Sequence, residues 1–406
     1  MHDVLPDEAL YFRKIEETAV RVFEKHAFRE IRTPILEHAP VFIKSLGEAS
    51  DVVSKEMYRF IDKDGSDLVL RPEGTAAVVR ALVEHGLLLR YPEGRFYYSG
   101  PMFRRERPQA GRYRQFHQVG VEYFGDSSPY SDAEVIYMAD EFLRELGLKN
   151  YTLLINTVGC EKDRERIVSI VRNTLAEDVE RLCPSCREKL DRNPLRVLDC
   201  KEPGCREIFK KIPPMRELVC DGCRRRYEAV LDILEEADIK YSESPSLVRG
   251  LDYYTGVVFE FRHENLGLTI LAGGRYDKLV ESFGGQPTPA VGFAGGVERI
   301  ALALKREDVR IPQGSSVYVI AFPAFGKYAF KVARLLWKND IPSVPDIRET
   351  SFKAKLRRAS KIGYPWVVII GEDEFEAGKV SLRNMNTGEQ ITLLPEELPG
   401  FLKSSE

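Results

Sequence analysis

From Asp7 to His26 apolar residues recur at Tyr11, Ile15, Ala19, Val22 and Phe23 among charged neighbours, the spacing of one buried helix face. The pattern then turns extended, and Phe28 to Leu36 reads as a strand. Two aromatic-rich stretches, Arg95 to Arg104 (RFYYSGPMFR) and Tyr113 to Phe124 (YRQFHQVGVEYF), flank a polar loop that contains Arg and Gly, which predicts an antiparallel hairpin. Residues 151–158 (YTLLINTV) give another strand. Strand-like segments return at Leu247 to Phe261 and Leu268 to Ala272, before a helix at Val297 to Lys305. Between them, residues 160–242 are charged, carry cysteines and break the pattern, so they are read as an insertion. Beyond a linker at Pro312, Gln313 and Gly314 the order becomes β-α-β-α-β: SVYVIAF, a helix through Tyr328 to Lys338, IPSV, a basic helix at 352–361, and WVVIIG. That order predicts a separate α/β domain over 315–406.

Alternation along the second hairpin strand puts Arg114, Phe116, Gln118, Gly120 and Glu122 on one face. An aromatic to stack on a ring, an amide and a carboxylate to orient polar groups, and a glycine for close approach together make a ligand platform. His117 falls on the opposite face and is read as structural. Arg104, at the mouth of the loop, is placed to grip a phosphate with its planar guanidinium. The string RPEGT sets Arg71, Glu73 and Thr75 around a turn before a helix, suited to capping or to holding an amino group. GFAGGVERI sets small residues at a helix start, where free N–H groups favour anions, with Arg299 in the first turn. VRGLDYYTG places Arg249 and two adjacent tyrosines, Tyr253 and Tyr254, in an apolar region; a buried arginine there needs an anionic partner.

Composition narrows the class of protein. With 406 residues the chain has material for two or three domains. No run of about 18 apolar residues occurs and the amino terminus is acidic, so a membrane span and a signal peptide are not expected, and a cytoplasmic location is. The 60 basic and 63 acidic residues leave a net charge of −3, so contact with nucleic acid has to come from local patches. Two such patches are Arg104, Arg105, Arg107, Arg112 and Arg114, and Lys353, Lys355, Arg357, Arg358 and Lys361.

All 7 cysteines lie between Cys160 and Cys223. Cys183 with Cys186 and Cys220 with Cys223 form two C-x2-C pairs, the pattern of a closed tetrahedral zinc site. Cys200 and Cys205 lie between them, so the ligand set stays open, and reduced thiols without metal are the alternative.

The joint order of these strings resembles the histidyl-tRNA synthetases of bacterial type. FREIRTPILE with EMYRF resembles class II motif 1, including Pro34. FRRERPQAGRYRQFHQ resembles motif 2 and GFAGGVERI motif 3, while VRGLDYYTG and AGGRYD resemble two histidine-specific signatures. The resemblance implies an α/β protein: an α+β catalytic domain over 1–312 on an antiparallel sheet, interrupted by the insertion, and an anticodon-binding domain over 315–406. It implies a histidine–tRNA ligase that uses ATP and Mg2+, takes L-histidine and tRNA(His), and forms a homodimer. By that resemblance Arg104 contacts the α-phosphate, Phe116 stacks on adenine and Arg299 binds the far phosphates. Glu73 and Thr75 hold the amino group, Gln118 sits near the carboxylate, Glu122 and Tyr254 read the imidazole, and Tyr253 joins them in binding histidine. Arg249 stabilises charge on the α-phosphate. Arg107, Gln109, Arg112 and Arg114 are expected at the acceptor end of the tRNA, Lys353 and Lys355 at the anticodon side. Pairing both ring nitrogens rejects analogues by roughly 10⁴-fold, so no editing domain is expected. The family begins with a strand and an Arg-Gly pair ahead of the DVLP string, whereas this chain starts at Met1, which predicts a weakened dimer. A regulatory paralogue that binds histidine without catalysis is the alternative; such paralogues lack the carboxy-terminal domain. A synthetase-like stress sensor would need a fused effector.

Overall fold

The computed structural model describes residues 2–47, 50, 52–107, 109–248, 253–311 and 316–404. It falls into two compact units, Met1–Arg310 and Ile311–Glu406.

The first unit is built on an eight-stranded sheet. From one edge its strands are Arg29–Glu30, Arg95–Phe103, Gln115–Phe124, Ala290–Gly296, Leu268–Arg275, Val257–His263, Tyr151–Thr157 and Tyr241–Glu243. The six inner strands run antiparallel to their neighbours, and only the two short edge strands pair in parallel. One face is covered by the helices Pro6–Lys25, Pro129–Glu145 and Val297–Arg306. Phe12, Ile15, Ala19, Val22 and Phe23 of the first helix share a core with Val119, Val121, Phe142 and Ile300. Because side chains alternate along a strand, burying Val119 and Val121 under these helices turns Gln118, Gly120 and Glu122 to the opposite face.

The expected strand from Phe28 to Leu36 is two strands in two sheets. Arg29–Glu30 edges the large sheet, whereas Leu36–His38 pairs with Asp67–Leu70 in a three-stranded sheet with Tyr58–Ile61. Pro34 lies in the crossing, where it has no N–H to give a ladder, and Arg71 holds the crossing by donating to the Thr33 carbonyl at 2.9 Å. Similarly, among the described residues strand structure after the insertion begins at Val257 rather than Leu247.

The segment inserted after Thr157 is helical. Ile167, Val171, Leu175, Leu182, Val197, Leu198, Ile208, Met215 and Val219 form its own core. The helix Asp221–Glu236 that follows turns Tyr227, Val230, Leu231 and Leu234 into the core of the main body.

The second unit has a five-stranded sheet in the order Ser343–Asp346, Val317–Ala321, Trp366–Ile370, Val380–Asn384, Gln390–Leu393. The first three strands are parallel, joined through the helices Gly326–Lys338 and Phe352–Ile362, and the last two add an antiparallel hairpin. No helix of the described residues is long and apolar enough to cross a membrane.

Candidate active site

Opposite the three covering helices, the large sheet floors a cavity of about 1290 Å³. Its wall carries Glu73, Thr75, Arg104, Phe116, Gln118, Glu122, Tyr253, Tyr254 and Arg299, brought together from five separate parts of the chain. Arg249 lies outside the described residues.

Glu122 is the hub, with 1% of its surface exposed. Thr75 Oγ1 donates to its Oε1 at 2.6 Å, and the Tyr276 hydroxyl donates to its Oε2. Burial, with the Glu73 carboxylate nearby as a further cause, pushes the Glu122 carboxyl from an ordinary 4.5 up to about 8. Its cross-strand neighbour is Gly292, where any Cβ would meet Oε2 at 2.2 Å, so the glycine of GFAGG is what leaves room for the carboxylate. Gly120, two residues away, yields in the same way to Tyr98, whose ring atom Cζ would lie 2.6 Å from a Cβ.

Glu73 opens the helix Thr75–Glu84 and accepts from the backbone N–H groups of Thr75 and Ala76 at 2.8 and 2.9 Å. Burial raises its carboxyl as well. Capping and ligand binding are therefore compatible for this residue, since each oxygen keeps a lone pair. Arg71 of the same string has a structural job, with Nε donating to the Pro101 carbonyl at 2.9 Å. The Gln118 side-chain oxygen is buried in the wall and has no hydrogen-bond donor among the described residues.

The cationic end of the cavity is formed by Arg104 and Arg299. Arg104 donates through Nε to the Pro72 carbonyl at 2.9 Å, and its guanidinium lies 5.3 Å from the centre of the Phe116 ring. Arg299, in the first turn of the helix Val297–Arg306, donates to the carbonyls of Gly111 and Thr269 at 3.0 and 2.9 Å. It thus holds the hairpin loop against the sheet. Tyr253 and Tyr254 pack with ring centres 4.7 Å apart, and Tyr253 meets Tyr276 edge-on at 5.6 Å.

His117 faces the other way: both its backbone N–H and its ring meet the Glu298 carboxylate, at 2.9 and 3.1 Å. Tyr276 was missed by the sequence reading. It stands in AGGRYD, beside Arg275, which is buried and bonded to Asp132 at 2.8 Å. The available signal was parity, because Ala272, Gly274 and Tyr276 alternate onto the cavity face just as Gly120 and Glu122 do.

The loop residues Arg107, Gln109, Arg112 and Arg114 are exposed; the backbone closes a turn between Gln109 and Arg112, and Arg112 reaches Glu106 at 3.4 Å. In the second unit Lys353 is exposed, but Lys355 corrects the expectation. It is 1% exposed, and its ammonium donates to the carbonyls of Ala321 and Asp346 at 2.5 and 3.1 Å. A buried ammonium with backbone partners is a brace and has no reach to RNA.

The cysteine expectation is also corrected. Cys183, Cys186, Cys220 and Cys223 do not assemble. Instead Cys183 and Cys186 gather with Cys200 and Cys205, while Cys220 and Cys223 gather with Cys160 and Asp163. The two C-x2-C pairs start different helices, Pro184–Arg192 and Asp221–Glu236, and each helix start faces its own partners.

The family model described as histidyl-tRNA synthetase matches residues 1–300, and one described as anticodon binding domain matches 316–405. The histidine–tRNA ligase of Aquifex aeolicus is 46% identical over 98% of this chain and 98% of its own length. That of Halothermothrix orenii is 42% identical over 97% of this chain and 95% of its own. The crystal structure of apo histidyl-tRNA synthetase from S. aureus superposes with a TM-score of 0.79 at 32% identity, covering 99% of this chain and 98% of that one.

Proposed function

The chain belongs to the histidyl-tRNA synthetase family, and on that premise we propose how its cavity activates histidine and charges tRNA(His). It is an aminoacyl-tRNA ligase that consumes ATP. The observation that carries the assignment of roles is the buried Glu122, bonded to Thr75 and Tyr276 at the floor of a cavity whose other end is lined by arginines.

The imidazole sits against Glu122, whose oxygens each keep a lone pair for a ring N–H after accepting from Thr75 and Tyr276. Tyr253 and Tyr254 close the ring pocket. The ammonium is held by Glu73 and Thr75, and the Gln118 amide lies beside the carboxylate. Adenine stacks on Phe116, Arg104 grips the α-phosphate, and Arg299 meets the far phosphates. Glu56 and Glu260, also on the cavity wall, are hard oxygen donors of the kind Mg2+ accepts. The metal, carried in on the triphosphate, would neutralise phosphate charge.

A carboxylate oxygen of histidine attacks the α-phosphorus, the bond to the bridging oxygen of the β-phosphate breaks, and pyrophosphate leaves. The terminal ribose hydroxyl of the tRNA then attacks the carbonyl carbon and AMP departs. No protein nucleophile is required, so positioning and stabilisation of charge by Arg104 and Arg299, with Arg249 assigned the same task by resemblance, supply the catalysis.

We assign Arg107, Gln109, Arg112 and Arg114 to the acceptor end and Lys353 to the anticodon side. The enzyme acts as a homodimer in the cytoplasm. Exposed Ile35, Leu36, Phe60 and Ile61 around the three-stranded sheet support a dimer face, and 7 unpaired cysteines suit a reducing compartment. The insertion binds structural zinc. Charging assays with tRNA(His) test the whole reading: histidine esterified to its 3′ end is expected, and no charging in the presence of ATP, Mg2+ and histidine would refute it.

A further inference from the structure

Three helices of the insertion begin alike. Cys160, Cys183 and Cys220 each stand at the N-cap position, and three residues on stand Asp163, Cys186 and Cys223. N-cap and N3 side chains lie on the same side of a first turn, so each start presents two donors together. The pair from Cys160 escapes a search for C-x2-C because its second member is an aspartate.

We propose that the insertion holds two zinc ions, one bound by Cys183, Cys186, Cys200 and Cys205, the other by Cys160, Asp163, Cys220 and Cys223. This deepens the assignment of structural zinc made above and rests on it. In each group the four ligand atoms lie within 4.8 Å of one another. Cys183 Sγ and Cys200 Sγ are 3.9 Å apart, close to the roughly 3.8 Å edge of a tetrahedron with Zn–S bonds of about 2.3 Å. The backbone already supplies N–H groups that steady thiolates: Cys183 N–H points to Cys205 Sγ at 3.2 Å and Glu202 N–H to Cys200 Sγ at 3.4 Å. Soft thiolates in fours select zinc over the harder divalent ions.

The second group stands at the neck of the insertion. Asp163 Oδ1 accepts from the Cys220 N–H at 2.8 Å, which ties two positions 57 residues apart, and Arg166 lies 3.2 Å from the same oxygen. Immediately before it, the Gly159 carbonyl accepts from the Gly256 N–H at 2.8 Å, and Gly256 closes the tyrosine-bearing signature. The first group, by contrast, presents Cys200 on the cavity wall next to Lys201. One ion therefore clamps the entry of the insertion to its exit, and the other shapes the part that overhangs the substrates.

The test is the zinc content of the full-length protein, purified without chelator and exchanged into metal-free buffer. Two equivalents per chain are expected, and Cys205→Ser and Asp163→Ala are each expected to keep one. One equivalent in the unaltered protein overturns the two-ion assignment while leaving a single structural zinc. None overturns metal binding altogether, and neither result touches the ligase reading, which charging of tRNA(His) measures separately. A variant that keeps both ions overturns its ligand assignment. Should a variant fail to fold, cadmium NMR of the cadmium-substituted unaltered protein decides: two resonances support two sites, one overturns them.

Discussion

The cavity and the insertion hold their chemistry in opposite ways. The cavity gathers Glu73, Thr75, Gln118, Glu122, Tyr254, Tyr276 and Arg299 from distant segments, around an antiparallel sheet whose strands fix Gln118 and Glu122 and beside which two helices carry Thr75 and Arg299. The insertion gathers most of its donors from the first turns of separate helices around a small core of its own, as small bodies do when they lean on metal. In the first region the scaffold positions the ligands; in the second the ligands position the scaffold. Removing a donor should thus cost activity in one and folding in the other.

The largest effect expected is on stripping metal from the insertion. Structural zinc contributes on the order of 10 kcal/mol to small domains that depend on it, so a strong chelator should melt the helices between Glu161 and Leu218, read as a fall in helical circular dichroism and as fast amide exchange confined to that segment. Unchanged protection there would erase the contrast between the regions. Next is Glu122→Gln, which keeps the shape of the cavity but weakens its pairing to the imidazole. Loss of a buried hydrogen bond at a carboxyl that keeps its proton near neutral pH, roughly 1 to 3 kcal/mol, predicts a fall of about 5- to 150-fold in kcat/KM for histidine, with little change in KM for ATP.

The same variant sharpens the comparison through pH. The Glu122 carboxyl titrates near 8 when folded and near 4.5 ordinarily, so the folded chain carries a proton that the unfolded chain has lost between those values. That stability is present below the lower value and drains away as pH rises through the upper one, at up to about 1.4 kcal/mol per pH unit. Between these limits the unfolding midpoint of the unaltered protein should fall relative to that of Glu122→Gln; parallel curves would remove the raised carboxyl from the account.

Lys355→Ala should destabilise the second unit by about 1 to 3 kcal/mol, because two carbonyls lose their buried donor, while KM for tRNA in the surviving fold stays put. Lys353→Glu should do the reverse, raising KM for tRNA several-fold and sparing both stability and pyrophosphate exchange. Equal effects from the two lysines would return Lys355 to the RNA-facing surface.

What could be read from the sequence follows the same division. Parity along Gln115–Phe124 placed Phe116, Gln118 and Glu122 on one face because strand alternation is a local rule with long-range consequences. It would have found Tyr276 too, had the strand Leu268–Arg275 been followed past Ala272. Pro34 marked the break between Arg29–Glu30 and Leu36–His38, which an alternating pattern on either side of it disguised. The cysteine groups could not be read from spacing, since spacing fixes which two thiols share a helix start and leaves open which starts meet. Lys355 looked like its neighbours because a helix face is assigned by period, and burial of one lysine at the ends of two strands depends on Ala321 and Asp346, residues that only the fold brings near.

The most direct measurement is ATP–pyrophosphate exchange run against all twenty amino acids. The account predicts exchange with histidine alone. Exchange with a different amino acid would contradict the role given to Glu122 and the tyrosines, and none with any would leave a cavity that binds histidine without activating it.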